Sequence, residues 1–172
     1  MIIHLVSDLH LEFGYQELPG GDVLILAGDI CEARTLRKEF HQTKVIDRVP
    51  GAFKSYDFFY SECAKYKKVF MVMGNHEHYH GRFDKTYNEL KGMMPDNVTL
   101  LEDECELYEG VLFVGSTLWT DMNKGDPLTL HAVRDMMNDY RVIKRDDLGF
   151  TRLKPVDTAM RHKQTLDYIK LI

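Results

Sequence analysis

Three short, nearly continuous apolar runs set the fold of this chain: residues 2–6 (Ile-Ile-His-Leu-Val), 23–27 (Val-Leu-Ile-Leu-Ala) and 69–73 (Val-Phe-Met-Val-Met). A strand with one wet face alternates apolar and polar residues, whereas a run almost free of polar residues is a strand covered on both faces. Such strands belong to parallel sheets, whose helical crossovers cover the faces. Polar stretches with helical spacing occupy 34–47 and 53–66, between the second and third runs. Strand, helix, strand predicts a parallel α/β core. Farther on, 82–94 reads as a helix ended by Pro95-Asp96-Asn97. Short strands are expected near 98–101, 104–108 and 111–115, the last two joined at Glu109-Gly110 as a hairpin. Residues 128–139 and 156–170 read as helices. The 172 residues contain no repeat, low-complexity tract or linker, and suffice for one domain, 1–172, with a real core.

The three runs end alike, in Ser7-Asp8-Leu9-His10, in Gly28-Asp29-Ile30 and in Gly74-Asn75-His76-Glu77. In an open parallel sheet, ligand-handling groups collect at the carboxyl ends of the strands. If the strands are neighbours, Asp8, His10, Asp29, Asn75 and His76 converge on one crevice. Asp8 and His10 are two apart and share a direction in an extended segment, and Gly28 and Gly74 allow sharp turns. Carboxylates, imidazole and an amide oxygen suit divalent Mn, Fe or Zn better than a thiolate-selected metal. Asp29 can place one oxygen on each of two ions, and two ions ~3.5–4 Å apart clamp a phosphoryl group and ionise a water. Asn75, a neutral ligand, limits negative charge so that an anionic substrate can approach. His76 stands beside the metals, placed to protonate a leaving oxygen.

These motifs differ in weight. Asp-x-His alone is more often a turn or cap, and Gly-Asp alone is a turn signal. Gly-Asn-His-Glu is sharper, expected by chance in roughly one chain of this length in a thousand. Together, Asp8-Leu9-His10, Gly28-Asp29 and Gly74-Asn75-His76-Glu77 resemble the first three motifs of the calcineurin-like metallophosphoesterases. The resemblance covers residues 1–120, and Gly115-Ser116-Thr117-Leu118-Trp119 also resembles small members of that family. It implies an αββα sandwich. It makes Asp8, His10 and Asp29 ligands of one metal, Asp29 the bridge, Asn75 a ligand of the second and His76 the histidine near the leaving group. Members often carry an acidic residue three positions after the bridging Asp to orient that histidine; Glu32 stands there.

The family completes its site with a later strand-end histidine and a Gly-His-x-His motif. This sequence contains no Gly-His. His131 and His162 lie in helix-like stretches, and the chain stops at an amphipathic helix where the strand carrying the fourth motif is expected. The sandwich is therefore expected to be C-terminally incomplete, with under-coordinated metals and an apolar surface and strand edge to cover. The spacing 76, 78, 80 would place His76, His78 and His80 on one side of an extended loop, where His78 and His80 are candidate replacement ligands.

Net charge is −5 and the pI about 5.9, which argues against broad nucleic-acid binding. Lys65-Tyr66-Lys67-Lys68 and Lys144-Arg145 are small basic runs that read as solvated helix ends. Three scattered cysteines without a C-x-x-C read as free thiols of a reducing compartment, and neither a signal peptide nor a membrane span is visible, so the cytoplasm is expected. The resemblance thus implies a metal-dependent phosphoesterase with a dinuclear centre of Mn, Fe or Zn. The Asp-Arg-Gly segment typical of the family's protein phosphatases is absent after Asp29, where Glu32-Ala33-Arg34 stands, which favours nucleotides or other small phosphoesters. Activity would need the missing ligands from a second copy of the chain or another chain completing the fold, or from waters in a weakened site. The alternative is a non-catalytic remnant or split-protein subunit that binds metal weakly.

Overall fold

A computed structural model describes residues 1–43, 54–145 and 151–172. Strands β1 (Ile3–Val6), β2 (Gly21–Ala27), β3 (Tyr66–Val72) and β4 (Val98–Leu100) form one sheet, all parallel and in sequence order. The register pairs Leu5 with Ile25, Ile25 with Phe70, and Met71 with Leu100. Between β2 and β3 run α1 (Ala33–Gln42) and α2 (Lys54–Asp57), and α3 (Phe83–Lys91) joins β3 to β4. The part of the first expected helix beyond residue 43, and residue 53 of the second, lie outside the described residues.

The central strands β2 and β3 are covered on both faces, as their apolar runs predict, whereas β1, whose run predicts the same, is an edge strand with Ile3 and Leu5 exposed. Leu24, Leu26, Val69 and Met71 pack under the crossover helices with Leu36, Phe58, Phe59 and Leu90. After α2 the chain widens into a π-turn, Phe58–Glu62, and then tightens into a 3-10 turn, Cys63–Lys65. The extra residue in that turn helps put the neighbours Phe58 and Phe59 both fully inside, ring against ring at 5.7 Å. Burying each is worth about 1.5–3 kcal/mol. On the other face Val23, Ile25, Phe70 and Val72 meet Leu101, Tyr108 and Phe113. The last two come from the antiparallel hairpin β5 (Glu104–Tyr108) and β6 (Val111–Gly115).

The expected strand 69–73 starts earlier, at Tyr66, and takes in most of the basic run. Lys65, Lys67 and Lys68 are held by Glu62, Asp22 and Glu106 respectively. After the hairpin come the irregular turn α4 (Met122–Gly125), then α5 (Pro127–Met136), α6 (Asp139–Val142) and α7 (Pro155–Ile169). The helix expected over 128–139 is broken after Met136, because Met137 is extended. These elements close a second core around Phe83, Tyr140, Ile143 and Leu153.

In the hairpin, Cys105 pairs with Val114 and Leu107 with Leu112, so these four share one face. That face is turned away from the sheet: Leu107 is 69% exposed, Leu112 48% and Val114 44%.

Candidate metal centre

The tips of β1, β2 and β3 are adjacent, and the parallel ladder continues past the strand ends. Asp8 N donates to Gly28 O at 3.1 Å, His10 N to Asp29 O at 3.1 Å and Leu11 N to Ile30 O at 2.9 Å. Asp8, His10 and Asp29 all adopt positive φ, at 55°, 44° and 55°. Left-handed backbone costs a non-glycine residue about 1–2 kcal/mol, and Asp and His are among those that tolerate it. Strain of this kind gathers at functional sites.

The side chain that fastens β2 to β3 is Glu77, which is wholly buried. Its carboxylate accepts from Gly74 N at 2.6 Å, Ile30 N at 2.7 Å and Asp29 N at 3.1 Å. Burial pushes this carboxyl up to about 7, against the backbone N–H bonds from Ile30 and Gly74, which favour its charged form. Gly74 was expected to serve a sharp turn. The constraint is space instead: a Cβ there would overlap Asp29 Oδ1 and come within 2.8 Å of Asp29 N. Gly28 does need its conformation, with φ +89°.

At this junction one donor atom each from His10, Asp29 and His76 lies within 4.8 Å of the other two. Asp29 Oδ1 accepts from His76 N at 2.9 Å. His76 Nδ1 is 3.2 Å from His10 Nδ1 and 3.1 Å from Glu12 Oε1. Its ring stacks on Tyr79 with centroids 4.2 Å apart. Glu12 Oε2 is buried with no hydrogen-bond partner among the described residues. The Asp8 carboxylate lies outside the His10–Asp29–His76 set. Its predicted alignment with His10 assumed an extended chain, and both residues are left-handed.

Asn75 is held from the far end of the chain. Its Nδ2 donates to Asp139 Oδ1 at 2.8 Å and to the Tyr79 hydroxyl at 3.3 Å, which leaves Oδ1 as the lone-pair donor without a hydrogen bond among the described residues. Tyr79 also donates to Asp139, at 2.8 Å. Glu32 sits at the start of α1 with its Oε1 3.2 Å from His80 Nδ1, while the carboxylate beside His76 is Glu12.

The three histidines of the loop part company, because His76–His78 is a 3-10 turn rather than an extended segment. His78 is buried between Phe83 and Trp119, and burial, with the charge of Arg161, pushes its imidazole down to about 3. His131 lies 3.6 Å from Asp135, and His162 Nδ1 is 2.9 Å from Leu118 O. Sequence reasoning missed Glu12, Tyr79 and Asp139 and gave Glu77 no role. Glu77 alone carried a signal, as the last letter of the sharpest motif.

A family model described as calcineurin-like phosphoesterase matches residues 1–166. An uncharacterised protein of Acanthamoeba polyphaga mimivirus is 27% identical over an aligned length of 178, in a match that covers 98% of this chain and 61% of that protein. Among solved structures, phosphopantetheinyl hydrolase (PptH) from Mycobacterium tuberculosis is similar with a TM-score of 0.59 at 19% identity, over 98% of this chain and 62% of that one. The chain thus spans about three-fifths of the length of both relatives.

Proposed function

The chain belongs to the calcineurin-like phosphoesterase family, and from that premise we propose that it hydrolyses small phosphomono- or phosphodiesters, nucleotides among them, with two divalent ions of Mn, Fe or Zn at the tips of β1, β2 and β3. The convergence of His10, Asp29 and His76 carries this reading. Two imidazole nitrogens 3.2 Å apart beside a carboxylate oxygen need a proton or cation among them, and the buried, unpartnered Glu12 Oε2 adds to that demand. The nitrogen and oxygen donors fit the proposed metals.

When bound, such ions neutralise charge on the phosphoryl group and acidify a water. The chain's own residues do the rest in this reading. His10 and Asp29 would hold the first ion, with Asp8 a ligand only if its carboxylate turns towards their set; Asp29 would also serve the second ion, where Asn75, its amide nitrogen engaged by Asp139, would offer Oδ1. With Nδ1 facing Glu12, the Nε2 of His76 is the nitrogen that delivers a proton to the leaving oxygen. The orienting role expected of Glu32 falls in this reading to Glu12, which lies beside His76, while Glu32 is paired with His80. Three free cysteines favour a reducing compartment such as the cytoplasm. No helix among the described residues is long and apolar enough to cross a membrane.

The test is metal content after mild purification, followed by hydrolysis of bis(p-nitrophenyl) phosphate and p-nitrophenyl phosphate with added Mn. Turnover that falls about 10²-fold or more in Asp29→Asn and in His76→Ala is the expected result. A wild-type chain that retains no metal and turns over neither ester sinks the proposal. The second reading, a subunit that binds metal weakly and needs a second copy or another chain for catalysis, draws on the three-fifths coverage of the relatives. Its signature is metal retention without turnover.

A further inference from the structure

A cavity of about 370 Å³ opens where the N-terminal ends of α1 and α3 meet. Four cationic side chains line it: Arg34, Arg37, Arg82 and Lys144. One carboxylate, Glu89, shares the lining and lies 3.1 Å from Arg37. The chain as a whole carries a charge of −5, so general basicity does not explain this concentration.

The cluster is built from distant segments. Lys144 N donates to Gly81 O at 3.1 Å and Phe83 N donates to Lys144 O at 2.9 Å, which sets Lys144 alongside Arg82. Its neighbour Arg145 is turned elsewhere, to Asp84 and Asp157. The run Lys144-Arg145 therefore divides between the cavity and a structural ion pair. Two helix N-termini add positive potential at the same place.

The cavity is linked to the strand-tip crevice through the sequence neighbours Tyr79 and His80. Its wall includes His80, which lies 3.2 Å from Glu32, and Ala33, the next residue. Tyr79, stacked on His76, touches the His80 ring with centroids 6.3 Å apart.

We infer that this basic cavity is a subsite for a second phosphate of the substrate, so that the chain selects phosphoesters carrying a further phosphate or diphosphate group. The inference rests on the phosphoesterase reading of the neighbouring crevice. Guanidinium groups grip phosphate oxygens in pairs, and the volume lies within the range of small-molecule sites. A long nucleic acid is disfavoured by the net negative charge.

The test is calorimetric titration of the full chain, stripped of metal with EDTA, with inorganic pyrophosphate. Wild type binds, and Arg34→Ala/Lys144→Ala binds about tenfold or more weakly. Both side chains are exposed, so the thermal unfolding followed by circular dichroism stays in place, and Arg34→Glu alone acts in the same direction. Equal affinity in wild type and variant overturns the inference. So does a wild type that ignores pyrophosphate, or one that binds a single-stranded oligonucleotide more tightly. Turnover of bis(p-nitrophenyl) phosphate by wild type reports separately on the neighbouring crevice. Its absence removes the substrate role even where the anion binding survives.

Discussion

Asn75 Nδ2 lies 2.8 Å from Oδ1 of Asp139, a buried carboxylate 64 residues farther along the chain. An amide whose nitrogen is held by a carboxylate presents its oxygen in a fixed orientation, as outer-shell partners of metal ligands do. Asp139→Ala is therefore expected to weaken Mn binding about 10–100-fold, measured by calorimetry. Unfolding stability should fall by only about 1–3 kcal/mol, the cost of leaving the Asn75 and Tyr79 donors unpaired. Undiminished Mn affinity would show that Asn75 needs no such support.

Glu77 has the opposite profile, since it touches three backbone N–H groups at the junction of β2 and β3. Glu77→Ala strands all three in a buried site and should cost about 3 kcal/mol or more. Glu77→Gln, which keeps an acceptor oxygen, is expected to fall between the alanine variant and wild type. Urea unfolding checks the order, and equal stability of all three chains refutes it.

Substituting Gly74 should act on geometry before stability. A methyl group there meets Asp29 N and Oδ1, so Gly74→Ala must separate the tips of β2 and β3. Strain of about 1–3 kcal/mol is expected. The discriminating measurement is Mn affinity, which should drop in Gly74→Ala while a methyl added at the uncrowded Gly14 leaves it unchanged.

Metal itself should stabilise the fold. At a hundredfold excess over Kd, a ligand of the native state adds about 2.7 kcal/mol. For a chain of this size that is a rise of about 5–10 °C in Tm. Thermal unfolding with and without Mn, followed by circular dichroism, should show the rise in wild type and not in His10→Ala. A rise of equal size in both would place the ion elsewhere.

β2 and β3 were legible because double-sided burial leaves a plain mark, a run of apolar residues with no alternation; β1 carries the same mark, yet it is an edge strand with Leu5 66% exposed. His10, Asp29 and His76 were legible because each follows such a run directly. Asp139 was not, since its role exists only once α6 docks beside a loop 60 residues earlier. Glu12 lies just past His10, but nothing local says that its carboxylate turns towards the His76 ring. The histidine spacing misled for a local reason: a 3-10 turn at His76–His78 replaces the assumed extension, so His76, His78 and His80 reach different neighbours. The pairing of Asp8 with His10 rested on the same assumption and met left-handed backbone.

The outer face of the hairpin, where Leu107, Leu112 and Val114 stand in the open, bears on how the molecule will behave in a tube. Reporter dyes that brighten on oily surface respond to any such patch, folded or not. A native sample should already glow at room temperature, and heating should add less signal than for a chain whose greasy side chains are all tucked away. Melting curves read from such dyes will understate cooperativity, whereas the tryptophan at position 119, whose ring contacts those of His78 and Phe83, offers a cleaner optical witness.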